Sequence, residues 1–194
     1  MEQGSSGVQP DDEALSHELI AIQAFADARL KIVFEFGDTL PVDEIVIGPI
    51  TQGDAVEVSN SWRTSPKRDW IKFNWWKARH IQTKRIDVSI RCRDFLCGLM
   101  LARRSRRQIC VTLRYLEGNP DPNHPLKGYV LPIATLIAES FASQYGIATV
   151  CISRPEKGLI AQYASRGYQF NATDTSRVKR HNKPRAKLMS KMLS

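Results

Sequence analysis

The chain reads as an α/β protein of the α+β kind: a mixed, mostly antiparallel sheet flanked by helices, with an N-terminal extension before it. Three observations predict this. Between Ile86 and Phe170, strand, strand, strand, helix, strand and helix signals follow one another. The first three strand signals are joined by short polar connections, as an antiparallel meander requires. The fourth follows a helix and is almost wholly apolar, the pattern of a strand covered on both faces.

Within the meander, IDVSIRC (residues 86–92) alternates apolar and polar residues, Arg93 and Asp94 make a polar turn, and FLCGLMLA (95–102) returns as an apolar run. After the basic connection Arg103-Arg104-Ser105-Arg106-Arg107, QICVTLRYL (108–116) supplies a third run rich in β-formers. The loop NPDPNHP then takes the chain out of the sheet, since each proline lacks a ladder donor. From Val130 to Tyr145, apolar residues at spacings of three, four and eight predict a helix, and Gly146 is placed to cap it. IATVCIS (147–153) is the fourth strand. Residues 156–166 read as a short helix stopping at Gly167, and YQFNATD as an extended segment. AKLMSKML (186–193) has enough apolar residues to dock as a last strand, although its period also allows a helix.

Ahead of the meander, residues 12–30 read as an amphipathic helix with acids at its start. KIVFEF, DEIVIGP and AVEVSN read as three short strands, the third being the candidate first strand of the main sheet. Residues 1–53 are accordingly read as an acidic extension. Residues 69–85, DWIKFNWWKARHIQTKR, read as a helix with Trp70, Phe73 and Ile81 on one flank and Trp75 and Trp76 nearby. Tryptophans at such spacing are more often core than contact, but these could touch substrate or stack on bases.

Charge is the second strong feature. Residues 1–60 hold 12 Asp and Glu against 2 Lys and Arg, whereas residues 61–194 hold 8 acids and 26 bases. The densest basic clusters are Arg103 to Arg107 and Arg177 to Lys191. They are read either as solvated segments or as contacts for nucleic acid or an acidic protein. The length suits one modest domain, and an apolar share of 42% is ordinary for a soluble protein. The sequence contains neither an apolar run long enough for a membrane span nor a basic, apolar secretory start, so a cytoplasmic location is expected. Cys92, Cys97, Cys110 and Cys151 lack CxxC spacing and clustered histidines, which points to reduced thiols and no metal. The phosphate-loop motif GxxxxGK and the serine-nucleophile motif GxSxG are both missing.

Over roughly residues 54–194 the chain resembles the GNAT acyltransferase superfamily, in which a hairpin and third strand lead to a pyrophosphate-binding loop and helix, then a strand, a short helix and a terminal hairpin. Gly98 in the second hairpin strand, the helix ending AxxxG (Ala142 to Gly146) and LxxxYASRGY (Leu159, Tyr163, Gly167, Tyr168) carry the resemblance, with Tyr168 where phenylalanine is usual. It implies an N-acyltransferase, most simply an acetyltransferase, with acetyl-CoA as co-substrate, an amine acceptor and direct transfer in a ternary complex. The cofactor cradle would be Leu126, Lys127, Gly128, Tyr129, Val130 and Leu131, where the family's usual glycines are reduced to Gly128. The resemblance adds a backbone donor near Leu116, Arg154 beyond the fourth strand, and Tyr163 as the acid for the departing thiolate. For the base, Glu117 at the end of the third strand competes with Asp121 and His124 in the adjoining loop. The alternative is a non-catalytic module of this fold that binds through its basic face, and a homodimer is possible in either case.

Overall fold

The computed structural model describes residues 10–64, 72–81 and 85–193. Its order is α1 (Pro10–Phe36), β1 (Ile45–Gly48), α2 (Gln52–Glu57), which runs on as a π-turn (Val58–Trp62), α3 (Trp75–Ile81), β2 (Arg85–Cys92), β3 (Phe95–Arg104), β4 (Val111–Gly118), α4 (Val130–Gln144), β5 (Thr149–Ser153), α5 (Ile160–Ser165), β6 (Gln169–Phe170), α6 (Ala172–Lys179) and β7 (Leu188–Met192). The strands form one seven-stranded sheet in the order β1-β2-β3-β4-β5-β7-β6. Every neighbouring pair is antiparallel except β4 with β5.

Each face of the sheet carries a helical layer. Alternation along β3 shows the division: Cys97, Met100 and Ala102 join the core beneath α1 and α4, while Leu96, Leu99 and Leu101 pack with Val58, Trp62 and Trp75 on the other face. This two-sided burial explains why β3 reads as an unbroken apolar run rather than an alternating one. Cys92, Cys97 and Cys151 are buried free thiols and Cys110 is half-buried.

Three N-terminal expectations are corrected. KIVFEF is the last part of α1, because Ala24, Ala28, Ile32 and Phe36 form an unbroken four-residue series of core contacts that outweighs local β-propensity. AVEVSN is helical across α2 and the π-turn, started by a capping box in which Thr51 N donates to Asp54 at 2.7 Å and Asp54 N to Thr51 Oγ1 at 3.1 Å. The strand edging the sheet is therefore within DEIVIGP, not AVEVSN. Of the helix expected over 69–85, residues 75–81 form α3, whereas residues 72–74, Phe73 among them, precede it without helical structure and Arg85 is already in β2; Trp70 lies outside the described residues. Further on, YQFNATD is extended only at Gln169 and Phe170, after which Asn171 caps α6 by accepting from Asp174 N.

Gly146, at φ +66, closes α4 where a cap was expected, and residues 188–192 are the last strand, inserted between β5 and β6. Among the described residues no helix is long and apolar enough to cross a membrane.

Candidate functional site

The parallel pairing of β4 and β5 is short. Only Val111, Thr112 and Leu113 pair with Val150, Cys151 and Ile152; β4 then runs on to Gly118 while β5 ends at Ser153. The two strands part, and a cleft of about 630 Å³ opens between them. Leu113 and Ile152 lie at its floor, β4 residues Arg114 to Gly118 form one wall, and Arg154, Pro155, Glu156, Leu159 and Tyr163 form the other. Val130 and Leu131 at the start of α4 close one end, and Phe73 and Trp75 another.

Six of the residues singled out from sequence meet here: Leu116, Glu117, Val130, Leu131, Arg154 and Tyr163. The remaining cradle residues sit around it. Leu126 is fully buried in the core, Lys127 and Gly128 are exposed, and Tyr129 packs edge-on against Phe36 with ring centroids 5.5 Å apart. Gly128 adopts φ +85, a conformation that favours glycine. Among the described residues, the N–H groups of Gly128, Val130 and Leu131 have no backbone acceptor, and Pro132 contributes none. The entrance to α4 thus offers free donors, but fewer than a proline-free first turn would. Gly98 lets this turn approach the sheet: a Cβ there would lie 2.4 Å from Val130 Cγ1.

Glu117 is the best-anchored polar side chain of the cleft. Arg63, from the turn after the π-helix, grips it with both terminal nitrogens, Nη2 donating to Oε2 at 2.8 Å and Nη1 to Oε1. Trp75 Nε1 donates to Oε2 at 2.9 Å. The carboxylate is 8% exposed, so these charge-assisted bonds replace most of its hydration. Its two rivals are elsewhere. Asp121 borders a separate cavity of about 560 Å³ with Glu57 and Asp94, and buried His124 lines neither cavity. Burial holds the His124 imidazole below its ordinary range, and its Nδ1 has no partner among the described residues.

Tyr163 is 3% exposed, and burial, reinforced by the nearby Glu156 charge, pushes its phenol up to about 12. It is therefore fully protonated at neutral pH. Tyr168 does something different: its hydroxyl donates to Glu139 Oε1 at 3.0 Å, and Lys191 Nζ reaches both Glu139 oxygens at 2.9 Å, pinning β7 to α4. Burial raises the Tyr168 phenol strongly. Arg154, at φ +50, donates its N–H to Lys187 O at 2.9 Å, which sets the basic connection from α6 to β7 beside the cleft. Arg103 to Arg107 lie at the other end of the sheet, where β4 begins.

Sequence reading missed Arg63, whose partner lies 54 residues away. It missed the floor for a similar reason, since no local pattern reveals where two strands part. Among the described residues no cluster of His, Cys, Asp or Glu could hold a metal ion.

No protein-family model matches the chain, and no curated protein matches it in sequence. Solved structures do match its fold. The ribosomal-protein-S18-alanine N-acetyltransferase from Escherichia coli superposes with a TM-score of 0.53 at 14% identity, over 77% of this chain and 94% of that one. Ard1 from Thermoplasma volcanium gives 0.52 at 11% identity, over 78% and 99%. N-acetylglutamate synthase from Neisseria gonorrhoeae gives 0.53 at 17% identity, over 77% of this chain but 35% of that longer one. The fold is that of the GNAT N-acetyltransferases, a mixed sheet of seven strands between helices.

Proposed function

We propose that this chain is a divergent GNAT N-acyltransferase that moves an acyl group, most simply acetyl, from acyl-CoA to an amine by direct attack in a ternary complex. The observation that carries the reading is the cleft between β4 and β5, lined by the start of α4, Glu117 and Tyr163. Beyond Leu113, β4 has no strand partner on its β5 side among the described residues, which leaves its backbone groups there to a ligand that can pair with them. The amides of a pantetheine arm have that chemistry. The similar N-acetylglutamate synthase was solved with coenzyme A, which supports the same cofactor class here.

In this reading the free N–H groups of Gly128, Val130 and Leu131 face the pyrophosphate, with Lys127 adding a point charge. The thioester carbonyl lies against β4 near Leu116, whose backbone N–H polarises it. The amine attacks, its nitrogen loses a proton, the carbon–sulfur bond breaks and the thiolate leaves. Glu117 takes up the amine proton through a water, since Arg63 and Trp75 already hold both of its oxygens. Tyr163 faces the sulfur. A phenol near 12 is about 3.5 units weaker as an acid than a thiol of ordinary pKa, about 8.5, so its main contribution is a hydrogen bond to the developing thiolate.

Calorimetric titration of the purified protein with acetyl-CoA and with CoA, at moderate salt to suppress diffuse charge attraction, tests this reading. Micromolar binding that weakens on Lys127→Ala supports it. Absence of binding at millimolar ligand overturns it.

A further inference from the structure

Helix α1 is long, and only one side of it is used. Ala24, Ala28 and Ile32 face α4 and the sheet, fully buried. On the opposite side a second apolar stripe points to solvent: Leu19 is 62% exposed, Ile22 61%, Leu30 70% and Val33 42%, with exposed Ala26 in the middle and Phe34, 94% exposed, on its flank. On a helix, residues three and four apart share a face, and these positions follow the spacing three, four, four, three. That spacing reads the same in both directions about Ala26. An antiparallel two-fold pairing suits such a pattern, because each residue then meets the counterpart equally far from the axis on the other copy.

We propose that α1 is a homodimer interface in which two copies pack antiparallel about Ala26, Leu19 opposite Val33 and Ile22 opposite Leu30 of the other chain. Ala26, at the crossing, is small enough for the helices to approach closely. Charge selects this direction. The first half of α1 carries Asp11, Asp12, Glu13 and Glu18 and no Lys or Arg. In the second half, Asp27 pairs with Lys31 and Glu35 with Arg166, while Arg29 has no partner among the described residues. A parallel pair would set these acidic first halves side by side; the antiparallel pair puts them at opposite ends of the interface. A contiguous exposed stripe of several large apolar side chains along one helix face is also the kind of patch that marks a protein–protein contact. The inference is independent of the proposed activity, because none of these residues lines the cleft.

Sedimentation of the full chain at micromolar concentration distinguishes a species near twice the 22.0 kDa chain mass from a monomer. A dimer is expected, and Ile22→Glu with Leu30→Glu should raise its dissociation constant at least about 100-fold, with an unchanged circular dichroism spectrum. A monomeric wild type, or a dimer indifferent to the paired substitution, overturns the proposal. Direction is read separately by oxidising a mixture of Leu19→Cys and Val33→Cys proteins. Mixed disulfides are expected, and disulfides between two Leu19→Cys chains alone would refute the antiparallel arrangement. Because both sites are exposed, that readout also decides the question if the glutamate pair unfolds the chain.

Discussion

Removing Arg63 should cost the protein a substantial part of its stability and expose how the cleft is held open. The guanidinium is 14% and the carboxylate 8% exposed, so Arg63→Met takes a bidentate cation away from a nearly buried Glu117. Breaking a buried ion pair from one side costs about 3–5 kcal/mol. Here Trp75 Nε1 still donates to Oε2, and the cleft can admit water, so a smaller cost of about 2–3 kcal/mol is expected. Urea unfolding of Arg63→Met, Glu117→Gln and the double variant measures it as a drop in midpoint at constant slope. With its charge removed, Glu117→Gln no longer needs Arg63, so the double variant should be less destabilised than the sum of the singles by at least about 1 kcal/mol. Strict additivity, or an Arg63→Met cost below about 0.5 kcal/mol, would refute the claim that this pair organises the site.

Three further outcomes follow from the geometry. Tyr163→Phe should lower kcat about 10- to 100-fold with KM for acetyl-CoA nearly unchanged, checked by steady-state thiol release; unchanged kcat removes Tyr163 from the chemistry. The raised Tyr163 phenol stabilises the fold below the unfolded tyrosine pKa near 10, and that contribution of about 2–3 kcal/mol is lost as pH climbs from 10 through about 12. Denaturant midpoints should therefore fall across that window, and less steeply in Tyr163→Phe. Gly98→Ala drives a methyl into Val130 Cγ1, so it should destabilise by about 1–3 kcal/mol and weaken coenzyme binding together, and Val130→Ala in the same chain should relieve both.

Much of the sheet was legible because its signals are local. β2 follows two-residue periodicity, β3 is an apolar run returning from a polar turn, α4 follows the helical period up to Gly146, and β5 is short, apolar and bounded. The N-terminal third misled where local pattern and tertiary packing disagree. AVEVSN alternates like a strand, yet the preceding TQGD is a helix start, and Thr51 and Asp54 do form its capping box. KIVFEF is rich in β-formers, yet the run from Ala24 to Phe36 at intervals of four continues the helix through it. In α6, Asn171 followed by Asp174 was a similar unread cap.

The site was legible only as far as residues announce themselves along the chain. Glu117, Arg154 and Tyr163 come from strand and helix ends, and the structure gathers them because β4 outruns β5. The length difference is the cause of the cleft: β3 satisfies one edge of β4 as far as Gly118, whereas β5 satisfies the other only as far as Leu113. An unpaired edge inside a sheet is costly unless water or ligand occupies it. The protein keeps this edge open by bracing it from outside, with Arg63 and Trp75 holding Glu117 on one side and the Tyr168–Glu139–Lys191 cluster fixing β7 to α4 on the other. These braces join residues 29 to 54 positions apart, which is why no window of sequence could have displayed them.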